Sequence, residues 1–183
     1  MKGKFIKVYD DLFSSDFTDY IERIMLLKCC VPFYHVDNVA GKHHKKFPSP
    51  GFSTSFHSGS DYQNTTLKYP FFKILYTLSN KVDFLIEEVL EGRGFIHLPS
   101  PNPGMDGIHT DLNFEHSVCL YYVNDSDGDT VLFEDDKKTE LKRVTPKKGR
   151  VVFFNGLIPH CSSRPAINSR AVINFDFIHN FYE

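Results

Sequence analysis

The sequence predicts an α+β protein in which two helices precede an antiparallel β-domain. Apolar residues recur at helical spacing in two segments before residue 91, whereas after Gly92 short runs rich in β-branched and aromatic residues alternate with turn residues. A chain of 183 residues with 41% hydrophobic content can bury one sizeable core. We therefore expect a single domain, 1–183, with a helical part (residues 1–91) and a β-core (residues 92–183).

The first predicted elements are a short strand and an amphipathic helix. Residues Phe5 to Tyr9 alternate weakly between apolar and polar side chains, as a strand does. Ser14 or Ser15 is suited to cap a helix that runs from about Asp16 to Leu27. The predicted buried stripe of this helix consists of Phe17, Tyr20, Ile21, Ile24 and Leu27.

A loop and a second helix follow. Residues 37–66 are rich in Gly, Ser, Pro, His and Lys without sustained periodicity, which predicts a long loop or lid. Its basic run, Lys42 to Lys46, is interpreted as a solvated face, with substrate contact as the alternative. The second helix is predicted over Pro70 to Leu90, with Pro70 in its first turn and Gly92 at its C-terminal stop.

Short β-rich segments separated by turn residues make up the rest of the chain. Several strands at this spacing are typical of a β-sandwich or a small barrel. The predicted segments are Phe95 to Leu98, Val118 to Val123, Thr130 to Phe133, Leu141 to Val144, Arg150 to Phe154 and Ala171 to Ile178.

Composition and charge narrow the class of protein. The formal net charge of -2 is unlike the basic balance of a dedicated nucleic-acid binder. The first residues lack the apolar core of a secretory signal, and no apolar run has the length of a transmembrane helix. None of the cysteines (Cys29, Cys30, Cys119 and Cys161) belongs to a C-x-x-C pair. We expect a cytoplasmic protein with reduced thiols and neither a membrane nor a nucleic-acid partner.

A group of potential metal ligands lies in the β-core. His109 and Asp111 are two residues apart, so on an extended segment both side chains point to one face. The buried strand that begins at Arg150 delivers His160 at its exit. Two histidines and one carboxylate with open coordination positions form the ligand set of mononuclear non-haem Fe(II). The other H-x-D triplet, residues 35–37, has no comparable strand-end histidine after it.

Further motifs surround these ligands. Tyr121 to Asp125 and Gly128 to Phe133 are predicted to form a strand, a turn and a return strand, and Val144 to Phe154 combines a turn with an apolar strand. Arg170 opens the strand that follows. Together with the H-T-D pair, these motifs, spread between Gly92 and Ile178, resemble the Fe(II)- and 2-oxoglutarate-dependent dioxygenase superfamily, and within it the prolyl 4-hydroxylase-like branch.

The resemblance implies a fold, a chemistry and a set of site residues. The fold would be a double-stranded β-helix (jelly-roll) core with buttressing N-terminal helices. His109, Asp111 and His160 would hold Fe(II), and Arg170 would pair with the C5 carboxylate of 2-oxoglutarate, with Tyr122 as a second contact. 2-Oxoglutarate and O2 would be cosubstrates for hydroxylation of an unactivated C–H bond, with no catalytic residue beyond the metal site.

Weaker candidates lie near the predicted pocket. If Arg170 faces the interior, alternation along its strand also turns Asn174 and Asp176 inward, where a ligand or water must satisfy them. His97 is a further candidate for the pocket wall. The acidic run from Asp125 to Asp129 lacks the spacing and flanking helices of a calcium loop, and is interpreted as a turn.

Four functions are weighed on these observations. A prolyl or other protein side-chain hydroxylase is the leading interpretation, because of the branch that the motifs resemble. A small-molecule or amino-acid hydroxylase of the same superfamily is the first alternative. A non-catalytic cupin-type metal-binding module is the second, and it would not need Arg170. A nucleic-acid dealkylating enzyme is the third, disfavoured by the near-neutral charge.

Overall fold

The computed structural model describes residues 4–28, 31–39, 49–58, 68–102 and 104–181. More of these residues belong to strands than to helices. The elements in chain order are β1 (Ile6–Tyr9), α1 (Ser15–Glu22), a π-helical segment (Arg23–Leu27), β2 (Tyr34–Val36), β3 (Gly51–His57), α2 (Lys68–Val82), β4 (Phe84–His97), β5 (Ser117–Tyr122), β6 (Thr130–Phe133), β7 (Glu140–Val144), β8 (Val151–Asn155), β9 (His160–Ser162) and β10 (Arg170–Phe181).

The strands form two antiparallel sheets. The large sheet has seven strands in the order β1-β8-β5-β10-β4-β3-β2, and the small sheet has three in the order β7-β6-β9. β10 lies at the centre of the large sheet and pairs antiparallel with both β4 and β5. The largely antiparallel architecture with few helices agrees with the predicted α+β class.

Each face of the large sheet has its own core. Both helices cover one face, where Ile21 of α1 and Leu75 of α2 pack with Tyr121 and Phe175 of the sheet. The other face packs against the small sheet through a second buried cluster. Its members are Val118, Leu120, Tyr122, Leu132, Val144, Val152, Phe154, Ile158 and Val172. Within the described residues, no helix is both long enough and apolar enough to cross a membrane.

The first helix begins as predicted but changes geometry halfway. Ser14 is its N-cap, and the Ser14 hydroxyl accepts the Phe17 N–H at 3.4 Å. From Arg23 the chain follows a π-helix, which has more residues per turn than an α-helix. The change of pitch rotates the predicted stripe, so that Leu27 is 71% exposed. The prediction that Leu27 is buried was therefore wrong, and so was the prediction for Tyr20, which is 46% exposed.

The predicted second helix is too long. α2 ends at Val82, Asp83 adopts a left-handed conformation with φ 66°, and Phe84 begins β4. Residues 84–97 pair along their whole length with β10, which satisfies backbone groups that would otherwise be buried unpaired. Gly92 consequently lies inside a strand and is not a helix stop. The predicted helical part, residues 1–91, thus contains strands as well.

The predicted loop of residues 37–66 also contains a strand. β3 (Gly51–His57) is inserted in the large sheet between β2 and β4. Its length and two-sided pairing stabilise a segment whose composition predicts a loop. Residues 40–48, including the basic run, and residues 59–67 lie outside the described residues, so the predicted lid stays a prediction there.

Candidate active site

Two chain segments bring the predicted metal ligands together. The backbone of His109, between β4 and β5, forms an isolated antiparallel bridge with His160, the first residue of β9. The His109 N–H donates to the His160 carbonyl at 2.9 Å, and the His160 N–H donates to the His109 carbonyl at 2.8 Å. This bridge places the two imidazoles side by side, with ring centroids 4.8 Å apart.

The three ligand groups converge. One potential ligand atom from each of His109, Asp111 and His160 lies within 4.8 Å of the others. His109 Nε2 is 3.6 Å from Asp111 Oδ1, and His160 Nε2 is 3.5 Å from Asp111 Oδ2. The Nδ1 atoms contact the carbonyls of Gly107 at 2.7 Å and Ile158 at 3.0 Å. Because a carbonyl accepts only, each Nδ1 carries the proton, and both Nε2 lone pairs are left for a metal.

The charges of this cluster suit a cation. Burial opposes ionisation of Asp111, but the contacts with His109 and His160 outweigh it and hold the Asp111 pKa well below its usual range. Burial likewise lowers the His109 pKa, yet Asp111 and the Gly107 carbonyl raise it overall. Two imidazoles beside an ionised carboxylate form a mixed N/O donor set for a divalent first-row metal. Among the described residues no other such group of three is found.

The other acidic and H-x-D motifs do not form sites. In the triplet of residues 35–37 both terminal side chains are exposed. The carboxylate of Asp127 accepts backbone N–H groups of residues 166–168. Asp125 accepts a backbone N–H of a neighbouring turn, and Asp129 pairs with an arginine of β7. The acidic run is a turn, as predicted, in which each carboxylate has a separate partner.

The triad opens into a cavity of about 370 Å³ between the two sheets. On the cavity floor, side chains of β4 and β10 that lie opposite each other form three rows. One row is basic, one is apolar and one is polar. The facing pairs are His97 with Arg170, Phe95 with Val172, and Arg93 with Asn174. Arg170 and Asn174 thus face the same cavity, as the alternation along the last strand predicts. Thr130 and Cys161 of the small sheet line it as well.

Arg170 forms the basic end of this cavity and is only 3% exposed. Its guanidinium donates to the Thr130 hydroxyl at 2.8 Å, while its Nε has no acceptor among the described residues. Burial and then the charge of Arg170 hold the pKa of the neighbouring His97 well below its usual range, so His97 is neutral. A buried cation with an unused donor beside a cavity is costly unless an anion binds there.

Tyr122 lies behind the cavity wall. Its hydroxyl is 2.7 Å from the Thr130 hydroxyl and 3.3 Å from the Val144 carbonyl. The Arg170 guanidinium lies over its ring, 5.7 Å from the centroid. Tyr122 is not among the residues that line the cavity, so its predicted contact with a cosubstrate stays a prediction. Thr130, which the motifs did not single out, lies between Tyr122 and the cavity.

Arg93 is a second site residue that sequence analysis missed. Its Nη2 lies 2.8 Å from Glu91, 3.1 Å from Asp176 and 3.8 Å from Asp111. Burial opposes the charge of Arg93, but these three carboxylates together raise its pKa. The residue fell between a predicted helix and a predicted strand. Alternating charged residues from Glu91 to Arg93 would have been a signal, had this stretch been interpreted as a strand.

Comparison with known proteins places the fold. No protein-family model and no curated protein matches the sequence. Among solved structures, an oxidoreductase of the 2OG-Fe(II) oxygenase family from Burkholderia pseudomallei aligns with a TM-score of 0.69 at 9% identity, over 94% of this chain and 84% of its own. The chain has the fold of the 2-oxoglutarate- and Fe(II)-dependent oxygenases.

Two further neighbours of this fold differ in their bound molecules. A Trichoplax adhaerens prolyl hydroxylase, in complex with a peptide fragment of the hypoxia-inducible-factor oxygen degradation domain, has a TM-score of 0.67 at 13% identity, over 94% of this chain and 83% of its own. HygX of Streptomyces hygroscopicus, with nickel, 2-oxoglutarate and hygromycin B bound, has a TM-score of 0.60 at 12% identity. The alignment covers 95% of this chain and 82% of the HygX chain. These neighbours confirm the resemblance to the 2-oxoglutarate- and Fe(II)-dependent oxygenases at the level of the fold.

Proposed function

We propose that this protein is an Fe(II)- and 2-oxoglutarate-dependent dioxygenase that hydroxylates an unactivated C–H bond. One observation carries the proposal: His109, Asp111 and His160 open into the same cavity that ends at the buried Arg170. A cupin-type metal-binding module would need only the three metal ligands and not Arg170. The two packed antiparallel sheets support the further inference that the core is a double-stranded β-helix.

The metal ligands fit Fe(II) by their chemistry. Two neutral imidazole nitrogens and one carboxylate leave coordination positions for a chelating cosubstrate and O2. When bound, the iron supplies O2 activation coupled to oxidative decarboxylation of 2-oxoglutarate. The chain itself holds the ligands in orientation, since the carbonyls of Gly107 and Ile158 fix the two rings.

Hydrogen-bond directions at the basic end support a carboxylate ligand. The Thr130 hydroxyl accepts from Arg170 at 2.8 Å. The Tyr122 hydroxyl donates to the Thr130 hydroxyl at 2.7 Å, with the Val144 carbonyl as a second acceptor at 3.3 Å. With both lone pairs engaged, Thr130 can only donate its own proton into the cavity. That donor and the unused Arg170 Nε suit the C5 carboxylate of 2-oxoglutarate, and Tyr122 supports it through Thr130.

The apolar row separates the two polar ends of the cavity floor. Phe95 and Val172 lie between the Arg170 row and the Arg93 row. Leu120 and Phe154 add apolar surface to the same cavity. We assign this surface to the methylene carbons of 2-oxoglutarate, where it excludes water from the charged pair at Arg170 and strengthens that pair.

For the substrate, we propose a prolyl or other side chain of a peptide or protein. The motifs from Tyr121 to Phe133 and the peptide-bound Trichoplax neighbour support this class. The hygromycin-bound HygX favours a small molecule as the second candidate. In either case the substrate would approach from the Arg93 end, because the Arg93 side chain is 33% exposed whereas Arg170 is buried.

Anaerobic titration of the Fe(II) protein with 2-oxoglutarate tests the proposal. We expect a weak visible metal-to-ligand charge-transfer band in the wild type. Asp111→Ala should abolish the band, and Arg170→Ala should require far more 2-oxoglutarate to produce it. Arg150→Ala is the matched control, because Arg150 pairs with Asp10 and does not line the cavity.

Each result has a defined meaning. Bound iron without a band, or equal affinity in Arg170→Ala and wild type, contradicts the cosubstrate assignment and favours the cupin-type module. A band that behaves as expected is followed by screening peptides and small molecules for succinate release. Peptide-dependent release identifies the proposed substrate class, and release with small molecules alone identifies the alternative.

A further inference from the structure

Asp176 is a fully buried carboxylate that is not one of the candidate metal ligands. It lies on β10, two residues after Asn174, with 0% of its surface exposed. Burial and then the nearby Asp111 raise its pKa, which shows that the position is unfavourable for an ionised acid. A buried acid in this position is costly for stability, so its contacts are informative.

Those contacts form a closed ring with the candidate metal carboxylate. Asp176 Oδ2 accepts from Arg93 Nη2 at 3.1 Å and from Asn174 Nδ2 at 3.3 Å. The same two groups face Asp111: Arg93 Nη2 lies 3.8 Å from Oδ1, and Asn174 Nδ2 lies 3.5 Å from Oδ2. Oδ1 of Asp111 therefore has Arg93 as an ion-pair partner, Oδ2 has Asn174 as a hydrogen-bond donor, and these two groups share one acceptor atom.

The ring decides the orientation of both donors. Without Asp176, the Arg93 guanidinium would be left with Glu91, which lies 2.8 Å away and is partly exposed, and with Asp111 itself. The amide of Asn174 is fixed as well, because a carboxylate on either side requires its NH2 to point between them. Groups behind a metal ligand hold that ligand's orientation, and their loss typically weakens metal binding.

We propose that Asp176 is a positioning residue which, through Arg93 and Asn174, holds the two oxygens of Asp111 in the orientation that binds the metal. This inference rests on the proposed metal site. It adds a role for a residue that contacts neither the ligand imidazoles nor the Arg170 end of the cavity. The second oxygen of Asp176, Oδ1, has no hydrogen-bond partner among the described residues, so only Oδ2 carries the ring.

Two variants separate the loss of the shared acceptor atom from a change in side-chain volume. Asp176→Leu has similar size but removes the shared acceptor, and we expect Arg93 to turn toward Asp111. Asp176→Asn keeps an acceptor oxygen that can receive both donors, with its NH2 on the side of His116, whose Nε2 lies 3.9 Å from Oδ1. Asp176→Leu should therefore disrupt the site, and Asp176→Asn should rescue it.

Co(II) binding to the full chain tests this, with visible absorption to report the coordination geometry. We expect Asp176→Leu to weaken Co(II) binding by about 10–100-fold and to alter the Co(II) spectrum. Asp176→Asn should keep the wild-type spectrum and affinity. Wild-type affinity and spectrum in Asp176→Leu would overturn the inference, and so would equal losses in both variants, which would indicate a charge effect.

Controls separate this inference from folding and from the proposed function. Asp106→Leu removes another buried carboxylate, paired with Arg164 at 3.0 Å and outside the triad. It should lower the thermal stability of the metal-free protein without changing Co(II) affinity, and an equal loss of Co(II) affinity would overturn the inference. If Asp176→Leu does not fold, Asn174→Ala should show a smaller loss in the same direction, and no loss counts against the inference. Failure of the wild type itself to bind Co(II) would instead reject the metal site.

Discussion

At the residue scale, the Thr130 hydroxyl links Arg170 and Tyr122 to the cavity. Thr130→Val keeps the shape of the side chain but removes the donor to a bound carboxylate and the acceptor for both neighbours. A hydrogen bond to a charged group contributes about 1.5–3 kcal/mol. We expect 2-oxoglutarate to bind roughly 10–100-fold more weakly, with Co(II) affinity unchanged. Calorimetric titration of 2-oxoglutarate into the metal-loaded protein measures this, and unchanged affinity would remove Thr130 from the site.

The residues of the site differ in how far sequence alone predicts them. His109 and Asp111 share a face by their spacing, and the strand exit at His160 predicts a partner, which the structure brings within 4.8 Å. Arg93 depends on the register between β4 and β10, and no local pattern defines a register. Thr130 is a polar residue at the start of a strand. In the sequence alone it resembles an ordinary turn residue, and only its neighbours in space identify it as part of the site.

At the element scale, the loop of residues 164–169 leads directly into Arg170, and the Asp127 carboxylate accepts three of its backbone N–H groups. Burial opposes ionisation of Asp127, but the backbone N–H groups of residues 166–168 together lower its pKa. Asp127→Ala should speed amide hydrogen exchange in this loop. It should also weaken 2-oxoglutarate binding, because the loop that positions Arg170 is then less ordered. Asp136→Ala is the matched control, since Asp136 holds its own turn through Thr139. Equal effects of the two variants on 2-oxoglutarate affinity would contradict this role.

The observed strand after Val82 predicts how two of its glycines respond to substitution. In β4, a Cβ on Gly92 would lie 2.4 Å from the ring of Phe56, which is fully buried, whereas a Cβ on Gly94 would lie 3.0 Å from a methyl of Thr54. Gly92→Ala should therefore destabilise by roughly 1–3 kcal/mol, and Gly94→Ala by less. Urea unfolding of both variants measures the difference, and stabilisation by Gly92→Ala would refute the strand.

The second helix was predicted to be too long because its last residues pair with a strand that is distant in the sequence. Apolar residues in the segment after Val82 fit a helical period when considered alone. Their neighbours on β10 lie about ninety residues away in the chain (Asn180 opposite Leu85, for example). Long-range pairing of this kind overrides local propensity, whereas Ser14 and the start of α1 depend only on near neighbours and were predicted correctly.

At the scale of the whole molecule, the central position of β10 relates the fold to the site. Alternate residues of one strand contribute the cation Arg170, the apolar Val172, the amide Asn174 and the anchor Asp176. The flanking strands β4 and β5 add their facing residues in the same order. The proposed cosubstrate end, the candidate metal region and the ring behind the Asp111 carboxylate are thus successive rows of one sheet. Displacing β10 in register would disturb all three rows together, so its pairing on both sides stabilises the site as well as the core.

The stability of the whole protein should depend on pH through His97. Burial first, and the charge of Arg170 second, lower its folded-state pKa, whereas unfolded His has a pKa of about 6.5. Below that pH the unfolded chain binds a proton that the folded protein does not, so folding loses up to about 1.4 kcal/mol per pH unit until the folded pKa is reached. Above it, His97 contributes no pH dependence.

His97→Gln isolates this contribution from groups of opposite sign, such as His109 and Asp176, whose folded pKa values are raised. The difference in unfolding free energy between wild type and variant, from urea unfolding of the metal-free protein, should be flat between about pH 7 and 8 and should fall below about pH 6.5. The Asp106 carboxylate, 3.8 Å from His97 Nδ1, is a competing influence. If the difference rises on acidification instead, Asp106 outweighs burial and Arg170, and His97 is a cation at the basic end of the cavity.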